Sequence, residues 1–310
     1  MSQDLDISWQ VLRRIVRDWA GDAAELAEVK PLDGGCINTT VALTTEAGDR
    51  AVLKISSHRV NRSYENEAYQ LERMRQRGLP VPRVYAWKTG SLDDPHSFVL
   101  LEFMDGVDLA EARRRATPEQ FEKLQCELAQ LLLRLHSATG EHYGRVIAGD
   151  SPTFASWSEF YRSIFEPIQA EVEKSGRLPP KTRKTISRAT QKLNELLQHD
   201  DVPRLVHWDV WATNILAKPT PGGDWAIAAM LDPNCKFAHV EAELAYLELF
   251  KTAGPAFMKT YQLERRLGED YHRVRKPVYQ MYSLMNHLEL FGGDYLKLLI
   301  DAVEKVATLV

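Results

Sequence analysis

The sequence predicts an α+β chain of two differently built halves. Up to about residue 104 the apolar residues come in short runs bounded by turn residues, as strands do, with one helical stretch among them. From Thr117 onward they recur mostly at helical spacing over long amphipathic stretches. A dense polar segment with strand-like flanks, His207 to Asn214, interrupts that helical half. We therefore divide the chain into residues 1–104 and residues 105–310, with Asp105 to Val107 as the linker.

Each element follows from its residues. Ile7 to Ala20 reads as a helix, because Val11, Leu12, Ile15, Val16 and Trp19 share a face and Asp6 can cap it. Strands fit Val29 to Leu32, Asn38 to Thr45 and Arg50 to Ser56, the last two joined by a turn through Glu46, Ala47, Gly48 and Asp49. A helix fits Arg62 to Arg77, stopped by Gly78 and Pro80, followed by strands over Arg83 to Lys88 and Ser97 to Phe103. This makes a five-stranded antiparallel sheet with one main helix. In the second half, helices fit Pro118 to Ala138, Trp157 to Lys174, Pro180 to His199 and Val274 to Leu290, and short strands fit Arg204 to Val206, Ile215 to Lys218 and Trp225 to Leu231.

With 310 residues, 44% of them apolar, the chain can bury a real core. A net charge of −4 gives no global attraction to nucleic acid or to an acidic membrane. There is no apolar run of spanning length and no basic-then-apolar leader, so a cytoplasmic protein without nucleic-acid or membrane partners is expected. Three widely spaced cysteines, Cys36, Cys126 and Cys235, suit neither a disulfide framework nor a zinc knuckle.

The polar residues match the needs of phosphoryl transfer: a cradle and a cation for phosphates, oxygen ligands for a divalent metal, and a carboxylate beside an acceptor hydroxyl. His207, Asp209 and Asn214 form H-x-D-x-x-x-x-N, and Asp232 follows a strand in LDPN. An Asp and an Asn five residues apart on a tight loop can address a substrate and a metal respectively. Read singly, Lys54 in AVLKIS is an ordinary strand lysine, Lys54 with Glu67 an ordinary ion pair, and the Asp and Asn residues ordinary turn formers. Their order along the chain gives them meaning.

In this order the chain resembles the protein-kinase-like superfamily, in its aminoglycoside-phosphotransferase and choline-kinase branch. GGCIN at Gly34, HWDVWATN at His207, LDPNCKFAHVEAELA at Leu231, YSLMNHLELFGGDY at Tyr282, LHSATGEHYG at Leu135 and SWSEFYR around Trp157 are similar to the fructosamine (ketosamine) kinase family over nearly the whole chain. The resemblance implies a two-lobe kinase fold with ATP and Mg2+ as cofactors. Asp209 is then the catalytic base, and Asn214 and Asp232 hold the metal. Lys54 contacts ATP phosphates while paired with Glu67. Gly34 and Gly35 cover the phosphates, and Glu102, Phe103 and Met104 form the adenine-binding hinge. Trp211, Asn286 and His287 border the acceptor, while His207 supports its loop. Cys36 falls on the phosphate-covering turn, where it is a candidate for oxidation. Glu241 and Glu243 match an acidic pair of the family, and equally suit the first turn of a helix.

The expected reaction is transfer of the γ-phosphate to a sugar hydroxyl of a ketosamine, free or on a glycated protein lysine, by a monomer or homodimer. An aminoglycoside, amino sugar or other alcohol is the alternative acceptor, and a nucleotide-binding scaffold without turnover the alternative function. The departures fall on the acceptor side. Trp208 stands where the family has glycine, Lys236 and Ala238 stand where it has Tyr and Gly, and Val146 to Ala155 lacks its Gln-Pro-Asn-type stretch.

Overall fold

The computed structural model describes residues 7–32, 39–56 and 62–310. The chain forms two units, Met1–Ala116 with Ile147–Asp150 and Ala212–Asn234, and Thr117–Val146 with Ser151–Trp211 and Cys235–Val310.

The first unit opens with α1 (Trp9–Ala20), capped by the Ser8 hydroxyl, which accepts the Val11 N–H; the expected cap, Asp6, lies outside the described residues. Then come β1 (Leu26–Pro31), β2 (Thr39–Thr45), β3 (Arg50–Ser56), α2 (Ser63–Arg75), β4 (Val84–Lys88) and β5 (Ser97–Glu102). The five strands form the expected antiparallel sheet, in the order β1-β2-β3-β5-β4. At the β2–β3 turn Gly48 adopts φ 89°, a conformation open to a residue without Cβ, and the Thr45 N–H donates to the Asp49 carbonyl. Apolar alternation on β2 and β3 buries Val41, Leu43, Leu53 and Ile55 with Leu12, Ile15 and Val16 of α1 in one core.

Two later segments join this unit. Ala148 N–H donates to Asn66 Oδ1 on α2 (3.0 Å). The hairpin Ile215–Pro219 and Trp225–Met230 adds the short strand Val107–Asp108 at its edge, and Asp108 caps the helix Leu109–Arg115.

The second unit is mostly helical. Pro118–His136 and Trp157–Lys174 both begin with complete capping boxes, Thr117 with Gln120 and Ser156 with Glu159. The helix expected over Pro180 to His199 breaks at Lys192 (φ −99°, ψ 10°) into Pro180–Gln191 and Leu193–Leu196. The one expected over Val274 to Leu290 is preceded by a π turn, Tyr271–Arg275, and runs over Lys276–Phe291. Val240–Leu249 shows no amphipathic stripe because seven of its residues are buried around its circumference, and a helix buried on all sides carries no periodic signal. Four short strands, including Arg204–Val206 and Lys236–Ala238, form a small antiparallel sheet beside the loop that begins at His207. No helix among the described residues is long and apolar enough to cross a membrane.

Candidate active site

In the first unit, β3 is the middle strand of the sheet and carries Lys54, while α2 carries Glu67 one turn in from its start. Lys54 Nζ donates to Glu67 Oε1 at 2.6 Å and also to Asp232 Oδ1. Lys54 and Glu67 are each 14% exposed, whereas Asp232 is 48% exposed, so Asp232 is the member of the triad that faces solvent. Burial pulls the Lys54 ammonium down, but the two carboxylates outweigh it and hold it well above the usual lysine range. Burial, opposed by Lys54 and reinforced by Asp232, holds the Glu67 carboxyl above its ordinary value.

Hairpin register gathers the two expected metal ligands. Ile215 pairs with Met230, and the next rung is made by the Leu231 N–H donating to the Asn214 carbonyl at 2.8 Å. Asn214 and Asp232 therefore sit together at the open end of one hairpin. Asp232 adopts φ 55°, a left-handed conformation uncommon outside glycine that Asp and Asn tolerate best. One carboxylate and one amide oxygen suit Mg2+, which binds through one or two protein oxygens and takes the rest from phosphate and water. No cluster of three or more His, Cys, Asp or Glu fit to hold a metal occurs among the described residues.

Of the expected hinge residues, Glu102 ends β5 and Phe103 and Met104 follow it. Glu102 Oε2 accepts the Arg83 N–H (3.1 Å), and the Arg50 guanidinium lies 3.5 Å over the Phe103 ring. Met104 is half-buried beside them. Gly34, Gly35 and Cys36 lie outside the described residues.

In the second unit the His207–Trp211 loop is held at several points. Asp209 N–H donates to His207 Nδ1 (3.3 Å), so the histidine braces its own loop. Trp208 N–H donates to Glu243 Oε1 (2.5 Å), while His136 Nε2 donates to Glu243 Oε2 (2.7 Å) and His136 Nδ1 lies 2.7 Å from the Tyr261 hydroxyl. Burial pushes the Glu243 carboxyl up, but the His136 hydrogen bond, the neighbouring imidazoles and the Trp208 N–H outweigh it and keep it below the ordinary value. Tyr246 donates its phenol proton to Asp209 Oδ1 at 2.8 Å. Glu241 instead accepts two bonds from the Arg275 guanidinium.

Trp208 takes φ 71°, which explains why glycine suits this position; holding a tryptophan there costs about 1–2 kcal/mol. Its ring is engaged with Trp157 (6.4 Å), Tyr282 (6.3 Å) and the Lys236 ammonium, 4.5 Å from the ring centroid. Two of the departures noted in the sequence, Trp208 and Lys236, are thus partners of each other. Burial, with Arg145 adding to it, lowers the Lys236 ammonium well below the usual range against the pull of Asp209 and Glu243.

Among the expected acceptor residues, Trp211 is 37% exposed and Asn286 is half-buried on Lys276–Phe291. His287 stacks on Phe250 (4.5 Å) and lies 6.0 Å from the Tyr246 ring, which places it within the aromatic set around Asp209. Sequence reading missed Tyr246, His136 and the pairing of Lys236 with Trp208. Tyr246 had one available signal, its position three residues after Glu243 on the same helix.

A cavity of about 810 Å³ in this unit is lined by His199, His239, Asp201, Glu241, Arg265 and Arg275, and Asp209 is not among its lining residues. Two of its arginines are already paired, Arg265 with Asp201 and Arg275 with Glu241. His199 and His239 stack at 3.7 Å. Burial first, then His199 and the nearby arginines, keeps His239 well below the usual histidine range. The unfolded chain therefore binds this proton first: the stabilisation is whole above pH about 6.5 and is lost as pH falls, by up to about 1.4 kcal/mol per pH unit. The melting temperature should fall between pH 7.5 and 5, and His239→Gln should flatten that slope; an unchanged slope in thermal unfolding would refute the assignment.

The sheet with its lysine–glutamate pair, the hairpin-end Asn and Asp, and the helical unit bearing the H-x-D loop define a protein-kinase-like phosphotransferase. The fructosamine kinase family model matches residues 8–308, and the chain belongs to that family. It is 26% identical over 299 residues to the "Protein-ribulosamine 3-kinase, chloroplastic" of Arabidopsis thaliana, covering 90% of this chain and 83% of the relative. It is 25% identical over 310 residues to the "Probable ketoamine kinase YniA" of Escherichia coli K12, covering 96% and 99%. Similar solved structures include a candidate fructosamine-3-kinase of Haemophilus somnus (TM-score 0.76, 21% identity, 96% and 97% covered). An aminoglycoside phosphotransferase, APH(4)-Ia, in complex with ADP and hygromycin B is more distant (TM-score 0.67, 17% identity, 96% and 98% covered).

Proposed function

We propose that the protein is a sugar-amine kinase that transfers the γ-phosphate of ATP to a hydroxyl of a ketosamine. The observation that carries this is the Lys54 triad: a half-buried ammonium braced by Glu67, with the exposed Asp232 carboxylate on the same nitrogen. That arrangement suits a phosphate cation beside a metal-binding carboxylate. Asn214 and Asp232 would hold Mg2+, which when bound neutralises phosphate charge.

The chain's own residues divide the remaining work. Lys54 supplies a point charge for phosphate oxygens, kept protonated by its two carboxylates. Asp209 orients the acceptor hydroxyl and accepts its proton, on a loop fixed by Glu243 and His207. The names of the relatives, ribulosamine and ketoamine kinases, favour a ketosamine acceptor over an aminoglycoside. A tryptophan at 208 that filled the loop would favour a scaffold without turnover, and the packing of its ring against Trp157, Tyr282 and Lys236 speaks against that alternative.

The test is to incubate the purified protein with ATP, magnesium and fructosyl- or ribulosyl-lysine. Acceptor-dependent ADP release and a product heavier by one phosphate are expected. Turnover with aminoglycosides and none with either ketosamine would overturn the acceptor assignment.

A further inference from the structure

We propose that Tyr246 is a positioning residue for Asp209, its phenol fixing the orientation of the carboxylate that receives the acceptor proton. This rests on the reading of Asp209 as the base. The direction of the bond is unambiguous, since an ionised carboxylate only accepts, so Tyr246 donates to Oδ1 at 2.8 Å.

The helix Val240–Leu249 grips the loop twice. Glu243 takes the backbone N–H of Trp208, and Tyr246, three residues on and on the same helix face, takes the side chain of Asp209. The loop backbone and its reactive carboxylate are thereby referred to one rigid, buried element. A catalytic group held this way needs no reorganisation when the hydroxyl arrives.

The phenol is itself held in place. The Tyr246 ring meets Phe250 edge-on at 4.8 Å, and His287 stacks on Phe250 while lying 6.0 Å from Tyr246. The His287 ring is fixed in turn by Nδ1 donating to the Ser283 carbonyl at 2.8 Å. Burial, and then the Asp209 carboxylate, hold the phenol far above its ordinary range, so the donor proton stays in place at any working pH. A tyrosine locked by its neighbours has little freedom left to lose on making this bond.

The experiment compares wild type, Tyr246→Phe, Asp209→Asn and the double variant, using ATP, magnesium and fructosyl-lysine. Tyr246→Phe keeps the ring and is expected to lower kcat about tenfold, with KM for ATP and acceptor within about twofold. The double variant should be no slower than Asp209→Asn alone, because a positioning group has nothing to act on once the base is gone. Melting temperature and nucleotide affinity serve as checks that Tyr246→Phe is folded. An unchanged kcat, or a lower acceptor KM with kcat retained, overturns the proposal; the second result would mean that the phenol occupies the place of the acceptor hydroxyl. If Asp209→Asn stays active, the base assignment fails instead, and no turnover in wild type removes both.

Discussion

Asp209→Asn is expected to reduce acceptor-dependent phosphate transfer by about 10²–10⁴-fold, the range associated with loss of a general base. The amide keeps the size of the side chain, and its oxygen can still accept the Tyr246 phenol, so the loop should keep its shape. What it loses is the ability to take a proton. ADP release with fructosyl-lysine measures the loss, and unchanged ATP binding and melting temperature would locate the defect in chemistry. Activity within tenfold of wild type would remove Asp209 from the role proposed for it.

Glu243→Ala carries the second large effect, here on stability. Glu243 and His136 have fully buried side chains, and the Trp208 N–H depends on the same carboxylate. Truncation leaves a buried and a half-buried donor without their acceptor, and removing one partner of a buried pair costs about 3–5 kcal/mol. A fall in melting temperature on the order of 10 °C is expected from the usual dependence of midpoint on stability. Glu243→Gln keeps an acceptor for Trp208 and should be milder, by the difference between a lost charge and a lost hydrogen bond, about 1–3 kcal/mol. A melting temperature within about 2 °C of wild type for the alanine variant would show that the pair contributes little.

The sheet, α1, α2 and the long helices were legible because each buries one face and leaves a periodic trace in the sequence. Val240–Leu249 left none, being buried all round; Glu243 was marked on it only through the resemblance, and Tyr246, the second residue that grips the H-x-D loop, was not marked at all. The short strands Tyr143–Arg145 and Lys236–Ala238 escaped because glycine in the first and lysine and alanine in the second are weak strand formers, whereas Arg204–Val206, no longer, carries an aliphatic pair. At the candidate site, Lys54, Glu67 and Asp232 were singled out by their order along the chain, and Asn214 by its spacing to Asp209. Tyr246 and His136 were not, since a tyrosine in a helix and a histidine at a helix end look like ordinary packing until their partners, tens of residues away, are seen.

Trp208 and Lys236 have a consequence for how this chain can change. Glycine would relieve the left-handed backbone at 208 but remove the indole face on which the buried Lys236 amine rests; a smaller apolar residue at 236 would uncover the indole while the backbone penalty remained. Each position therefore sets the terms for its neighbour, and drift at either is constrained unless both move together.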